Sequence, residues 1–499
     1  MLASNSNFIR MTMISEGIEQ QYEAVIGLEV HVQLSTITKA FCSDSAHFNS
    51  EPNQNISTVS LGLPGALPLC NEKIIQYATK LGLAVNSKIN RYHFFDRKNY
   101  FYADLPKGYQ ITQDNQPICV GGQLKIRLDN GSEKEIILNR IHIEEDAGKS
   151  IHDMDDLYSL IDLNRAGVAL LEVVTEPMIS SGEEAAAYLS ELRKLVRYLD
   201  ICDGNMEEGS MRCDANISIR LKGSKTLGNR CEVKNLNSIK NVQKAIDHEI
   251  KRQIKLVNNG EKIAQNTLNF DAATGQTSPL RSKEMANDYR YFPEPDLLPL
   301  VLSEDFINDI KKNMPVLPEA LYLQFTTEMN LPAYDALALI ADKKTAYYYL
   351  EICKHTNHHK MASNWVMGAI KSHLNDHQID LDQFLIPAVE IAAIVNQVED
   401  KVISHHQAKE IFQQLLLNPK NTTDQLVNKL NLSEVAGIDE SESLIAQVLE
   451  KYPDKVKEYH QGKKGVLGLF MGELMKISKG KIDPKTANQS IIEKLEKLK

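Results

Sequence analysis

The chain has 499 residues, 42% of them apolar and 24% charged, with a formal net charge of −10. That length exceeds one ordinary core, so two or three domains are expected, and the composition is that of a folded globular protein. No apolar run approaches the roughly 20 residues of a membrane-spanning helix, and the seven cysteines are scattered with no C-x-x-C pair, which points away from a disulfide framework or a zinc knuckle.

The stretch before Glu23 has neither an apolar signal core nor an Arg-rich amphipathic pattern, so the reading is a cytoplasmic bacterial protein with a short N-terminal extension, residues 1–21. From about residue 22 to 298, short β-branched runs alternate with helical patterns. The runs are AVIGLEVHV, LKIRLDNG, KEIILNRIHI, VALLEVVTE, CDANISIRL and NRCEVKNL, separated by Gly and Asn turns. Helices are predicted over 72–85, over 181–201 with Ser180 or Ser181 as N-cap ahead of Glu183 and Glu184, and over 237–260 with Gly260 at the end. Strands alternating polar and apolar so regularly imply an antiparallel sheet with one packed and one open face, hence an α+β domain with a concave polar side.

Pro293, Pro295 and Pro299 mark a boundary, and beyond them the pattern is helical to the end. Residues 299–405 read as a helical domain and 406–499 as a small all-α tail. Residues 451–499 carry +6 against −16 on the rest, a basic end that could meet a polyanion.

The chemistry concentrates on polar strand faces. In GLEVHVQL, Glu29 and His31 stand two apart and so share a face, opposite Leu28, Val30 and Val32. Glu172 projects from LLEVVTEP, Asp214 shares a face with Asn216 and Ser218, Glu232 and Lys234 flank Val233, and Glu144 and Glu145 follow an Ile-x-Ile alternation. A single exposed acid is ordinarily solvated. Several brought together repel, and a divalent cation relieves that repulsion. Oxygen-rich ligation with one imidazole suits Mg²⁺ or Mn²⁺, and Mg²⁺ typically comes with phosphates. Arg97, Lys98, Lys107 and Lys149 are candidate phosphate partners. The GKS at 148–150 is not a phosphate loop, because Ile143 stands where that loop needs glycine, and no nucleophile elbow or zincin motif occurs.

The strings VIGLEVHVQL, LGLPGALP, FDRKNYFYADLPKGYQITQ, RIHIEEDAGKS, DLNRAGVALLEVVTEP, MEEGSMRCDANIS, EVKNLNS and DYRYFPEPDLLPL resemble the GatB family, the B subunits of aspartyl/glutamyl-tRNA amidotransferases. The resemblance spans residues 22–499, through LPAYDA, SNWVMG and GKKGVLGLFMGELMKISKG. It implies ATP- and Mg²⁺-dependent phosphorylation of the side-chain carboxylate of mischarged Glu-tRNA(Gln) or Asp-tRNA(Asn), followed by displacement of phosphate by ammonia. The ammonia would come from an A subunit that is an amidase, with a small C subunit to complete the GatCAB heterotrimer. The resemblance also implies a catalytic cradle over 22–298 similar to glutamine synthetase, and a YqeY-like tail that meets the tRNA elbow and D-loop.

Carried over residue by residue, the metal ligands fall on Glu29, His31, Glu145, Glu172, Asp214 and Glu232, and the phosphate-facing lysine on Lys98. Strand alternation instead favours Glu144, with His142, so Glu144 is held in reserve for Glu145. Zinc-bearing members carry two cysteine pairs near the start; here only Cys42 stands, with Asp44, Ser57 and Ser60 at the partner positions, so no zinc is expected. The rival readings are a non-catalytic tRNA-binding scaffold and a stand-alone carboxylate–amine ligase.

Overall fold

The computed structural model describes residues 21–152, 154–282, 288–430, 438–478 and 484–498. The N-terminal extension lies outside them except for Gln21, as do the last two residues of the GKKGVLGLFMGELMKISKG string. The chain forms two compact units, the first ending at Leu317 and the second starting at Pro318.

The first unit is built on a ten-stranded sheet. Its long strands are β1 (Tyr22–Gln33), β4 (Glu133–Glu145), β5 (Ala169–Thr175), β6 (Met211–Leu221), β7 (Cys231–Leu236), β8 (Asn266–Asp271) and β9 (Gln276–Ser282). A separate small sheet contains β2 (Asp96–Asn99) and β3 (Tyr109–Thr112), with Phe292–Pro293 on the other edge of β2. In the large sheet the order is β9-β8-β7-β6-β1-β5-β4, continued by two short strands, with Gln123–Arg127 pairing on β4 as well.

The pairing is antiparallel except for β7 with β8. That exception follows from connectivity, since parallel neighbours need a crossover and the helix α3 (Ile239–Asn258) supplies it. Helix α1 (Glu72–Ala84) is capped by Asn71, and α2 (Gly182–Tyr198) by Ser181, whose hydroxyl accepts from the Glu184 amide at 3.1 Å. After α3 the chain turns at Gly260 with φ +80°, a left-handed conformation that glycine adopts without a Cβ clash.

Leu28, Val30 and Val32 of β1 are fully buried, as are Ile141, Ile143, Leu171, Val173, Ala215 and Val233 on its neighbours. They pack with Ile74 and Leu81 of α1, Leu189 and Leu192 of α2, and Val242 and Ile246 of α3. The three helices thus cover one face of the sheet, and the opposite face is left to the polar residues of the same strands. The segment after the prolines stays with this unit: Phe306 and Ile307 of α4 (Glu304–Lys312) pack against its core.

The second unit is helical throughout its described residues, and its last part has a small core of its own around Ile445, Leu449, Phe470, Leu474, Ile491 and Leu495. Among the described residues no helix is long and apolar enough to cross a membrane.

Because Leu28 fills the centre of the sheet's helix-covered face, Leu28→Ala is expected to cost about 3 kcal/mol. Urea denaturation followed by the first unit's unfolding transition checks this.

Candidate active site

Strand β1 lies between β5 and β6, so its polar face meets theirs. The register sets Glu29 opposite Asp214 and His31 opposite Glu172; on the next pairing out, Glu172 faces His142. On the far side of β6, Asn216 faces Glu232. Period-two alternation therefore brings side chains from five strands onto one face.

They form two groups in which one ligand atom per residue lies within 4.8 Å of the others: His31, Glu144 and Glu172, and Glu29, Asp214 and Glu232. In the first, His31 Nε2 is 3.3 Å from Glu144 and 3.6 Å from Glu172, while His142 Nε2 approaches Glu172 at 3.2 Å. In the second, Asn216 donates to Glu29 at 2.9 Å and the Thr267 hydroxyl to Glu232 at 3.1 Å. Lys234 Nζ reaches Asp214 at 2.5 Å and Glu232 at 3.2 Å. A register shift between Cys213 and Ala215 sets two residues of β7 against Asp214 alone, a bulge that brings Lys234 over that carboxylate.

The charge is incompletely balanced. Burial raises the Glu29 carboxyl, and the negative charges of Glu172, Asp214 and Glu232 raise it further. Burial pushes Glu144 up to about 7, with Glu172 adding to the shift. Burial also opposes the charge on Glu172, but His142 and His31 overcome it and hold that carboxyl below the ordinary range. Five acids thus face one or two imidazoles and the single ammonium of Lys234, an excess of carboxylates that a hard divalent cation would relieve, and the oxygen-rich donor set fits magnesium.

The second acid of the first group is Glu144, where the motif pointed to Glu145. The physical reason is the pleat. Glu144 shares the face of His142, whereas Glu145 turns to the other side, accepts from the Ile111 amide at 2.8 Å and is ion-paired with Lys107. The remaining expected ligands, Glu29, His31, Glu172, Asp214 and Glu232, all fall within the two groups.

A cavity of about 350 Å³ opens over these groups, lined among others by His31, Lys98, Glu144, Arg212, Asp214 and Lys234. Lys98 enters from β2, with its ammonium 5.0 Å from the Tyr289 ring and 5.9 Å from that of Tyr100. Its neighbour Arg97 points away and clamps the proline-rich segment, donating to Glu294 at 2.7 and 2.8 Å and to Asp296 at 3.0 Å with its guanidinium 4.2 Å from the Tyr109 ring. Lys107 serves Glu145, and Lys149 lies exposed on a hairpin. Of the four expected cations, Lys98 is the one that lines the cavity.

Arg212 had not been singled out, yet it lines the cavity and donates to Asp146 at 2.7 Å. Its position two residues before Asp214 is the alternation signal that marks it. Outside the cavity, Cys42, Asp44, Ser57 and Ser60 do meet: the Cys42 thiol is 3.5 Å from the Ser60 hydroxyl, and both serines hydrogen-bond Asp44. One thiol, two hydroxyls and one carboxylate do not make a zinc donor set.

Residues 24–308 match the GatB/GatE catalytic domain and residues 347–495 the GatB domain. The chain is 46% identical to the B subunit of the aspartyl/glutamyl-tRNA(Asn/Gln) amidotransferase of Thermodesulfovibrio yellowstonii over 94% of this chain and 98% of that protein. It is 46% identical to the protein of the same name from Syntrophotalea carbinolica over 95% and 99%, and 45% identical to that of Rickettsia conorii over 96% and 99%.

The two adjacent glutamates separate by experiment. Glu144→Gln is expected to weaken Mn²⁺ binding at least tenfold with little change in stability, since it removes a buried negative charge. Glu145→Gln is expected to leave Mn²⁺ binding intact and cost about 3 kcal/mol, because it leaves the largely buried Lys107 ammonium without its counter-charge. Paired Mn²⁺ titrations and denaturation curves read both.

Proposed function

The chain belongs to the GatB/GatE family of tRNA-dependent amidotransferase subunits, and on that premise we propose that its polar sheet face activates a side-chain carboxylate for amidation on tRNA. The observation that supports this best is the convergence of Glu29, His31, Glu144, Glu172, Asp214 and Glu232 beside Lys98 over a cavity open to solvent.

The reaction asks for charge control more than for covalent help. The glutamyl or aspartyl carboxylate on Glu-tRNA(Gln) or Asp-tRNA(Asn) attacks the terminal phosphorus of ATP. The bond to ADP breaks and an acyl phosphate forms; ammonia then attacks the acyl carbon, phosphate leaves, and the amide loses a proton. A bare carboxylate is a poor acyl donor, and the acyl phosphate supplies the leaving group. Catalysis of such a transfer is mostly positioning and electrostatic stabilisation.

Magnesium held by His31, Glu144 and Glu172, and by Glu29, Asp214 and Glu232, would neutralise phosphate charge. Lys98 brings a cation on the cavity's other wall and steadies charge on the transferring group. Tyr100 and Tyr289 keep its ammonium in place by cation–π attraction. Arg212, oriented by Asp146, offers further donors to an oxyanion.

The sequence has no amidase nucleophile signature, so the ammonia comes from the separate amidase, the A subunit of a bacterial cytoplasmic heterotrimer in which the small C subunit is the third member. In this reading residues 22–298 are the glutamine-synthetase-like cradle, and the helical part and the basic YqeY-like tail hold tRNA by shape and phosphates.

Reconstitution with the A and C subunits, following ATP-dependent conversion of Glu-tRNA(Gln) and Asp-tRNA(Asn) separately, tests the proposal. Glu172→Ala, Asp214→Ala and Lys98→Met are each expected to lower Mg²⁺-dependent ATP cleavage at least about 100-fold while tRNA affinity is unchanged. Activation that survives in Glu172→Ala and Asp214→Ala would favour the non-catalytic scaffold.

A further inference from the structure

The two acid groups carry different counter-charges. His31 and His142 serve the first, and an imidazole has a nitrogen lone pair that can itself ligate a cation. Lys234 serves the second. Its ammonium has three donors and no lone pair, so it cannot share a cation's coordination and can only compete for the same oxygens. It sits 2.5 Å from Asp214 and 3.2 Å from Glu232, two of the three acids in that group. The side chain is one-third exposed and lines the cavity together with Lys98 and Arg212. The bulge in β7 sets the contact, and Lys234 and Asp214 line together the cavity where phosphate would lie.

We infer that Lys234 is a tethered counterion of the Asp214–Glu232 pair, displaced when a divalent cation takes those oxygens, and that the freed ammonium turns into the cavity to meet a phosphate oxygen of the nucleotide. This rests on the cation-and-nucleotide reading above and extends it to the order of loading. Without nucleotide the His31 group fills first and the Glu29 group resists. With nucleotide present, the displaced ammonium gains a partner, so the second cation and the nucleotide favour each other. By linkage the coupling is the same measured from either side.

The test is Mn²⁺ binding to the full chain by electron paramagnetic resonance, with and without the non-hydrolysable analogue AMP-PNP. Wild type is expected to show two affinity classes, the weaker strengthened about tenfold by nucleotide. Lys234→Met is expected to strengthen the weaker class about tenfold without nucleotide, and to weaken AMP-PNP binding at saturating Mn²⁺ by a similar factor. A purely structural role for Lys234 would not move the two affinities in opposite directions. Lys234→Gln also removes the charge and carries the same pair of expected shifts if Lys234→Met folds poorly, whereas Lys234→Arg keeps the charge and should keep the Mn²⁺ affinity near wild type.

Mn²⁺ binding in two classes with Lys234→Met leaving both affinities unchanged, or lowering both, would overturn the inference and leave the proposed function standing. Wild type with no Mn²⁺ bound at either group would overturn the proposed function itself.

Discussion

The central constraint is the mutual repulsion of five carboxylates on one face of a folded sheet. Like charges a few ångströms apart in a partly buried setting cost far more than in water, and the apolar packing that offsets this cost lies on the opposite face. Leu28, Val30 and Val32 alternate with Glu29 and His31 along β1, and each acid-bearing neighbour has its own buried residues against the three helices. The register that buries one set presents the other, so the charged face cannot be relaxed by slipping a strand without exposing the core. A one-residue slip of β1 would turn every one of these side chains over.

Around the charged face, other buried ion pairs hold the walls. Glu145 faces away from the cavity, and through Lys107 and the Ile111 amide it ties β4 to β3 and the loop before it. Arg97 fixes the segment containing Glu294 against β2, which sets where the adjacent Lys98 emerges. Lys39, fully buried, donates to the Asn55 carbonyl at 2.6 Å and steadies the loop that carries Ser57 and Ser60. These contacts touch no reacting group. They place the strand that carries Lys98 opposite the sheet that carries the acids.

Much of this could be read in the sequence because alternation is a short-range signal. It identified β1, β4, β5, β6 and β7, the helices at 72, 181 and 237, and the fact that several strands each present an acid. Adjacency was not legible, since antiparallel register is set by long-range pairing: nothing local says that Glu29 meets Asp214 across 185 positions of chain. The parallel pairing of β7 with β8 depends on α3 crossing over, and the Lys234–Asp214 contact depends on a bulge, a feature with no clear residue signature here. The choice of Glu144 over Glu145 was available from the pleat alone, where motif similarity pointed one residue further. Arg212 was equally available, two positions from Asp214 on the same face.

That acids drawn from distant parts of the chain gather around shared cations is open to one direct measurement: anomalous diffraction from crystals of the protein grown with Mn²⁺. Two anomalous peaks are expected, one within coordination distance of His31, Glu144 and Glu172 and one near Glu29, Asp214 and Glu232, the second strongest when nucleotide is present. Peaks confined to other surfaces, with both groups free of metal at saturating Mn²⁺ and nucleotide, would contradict it.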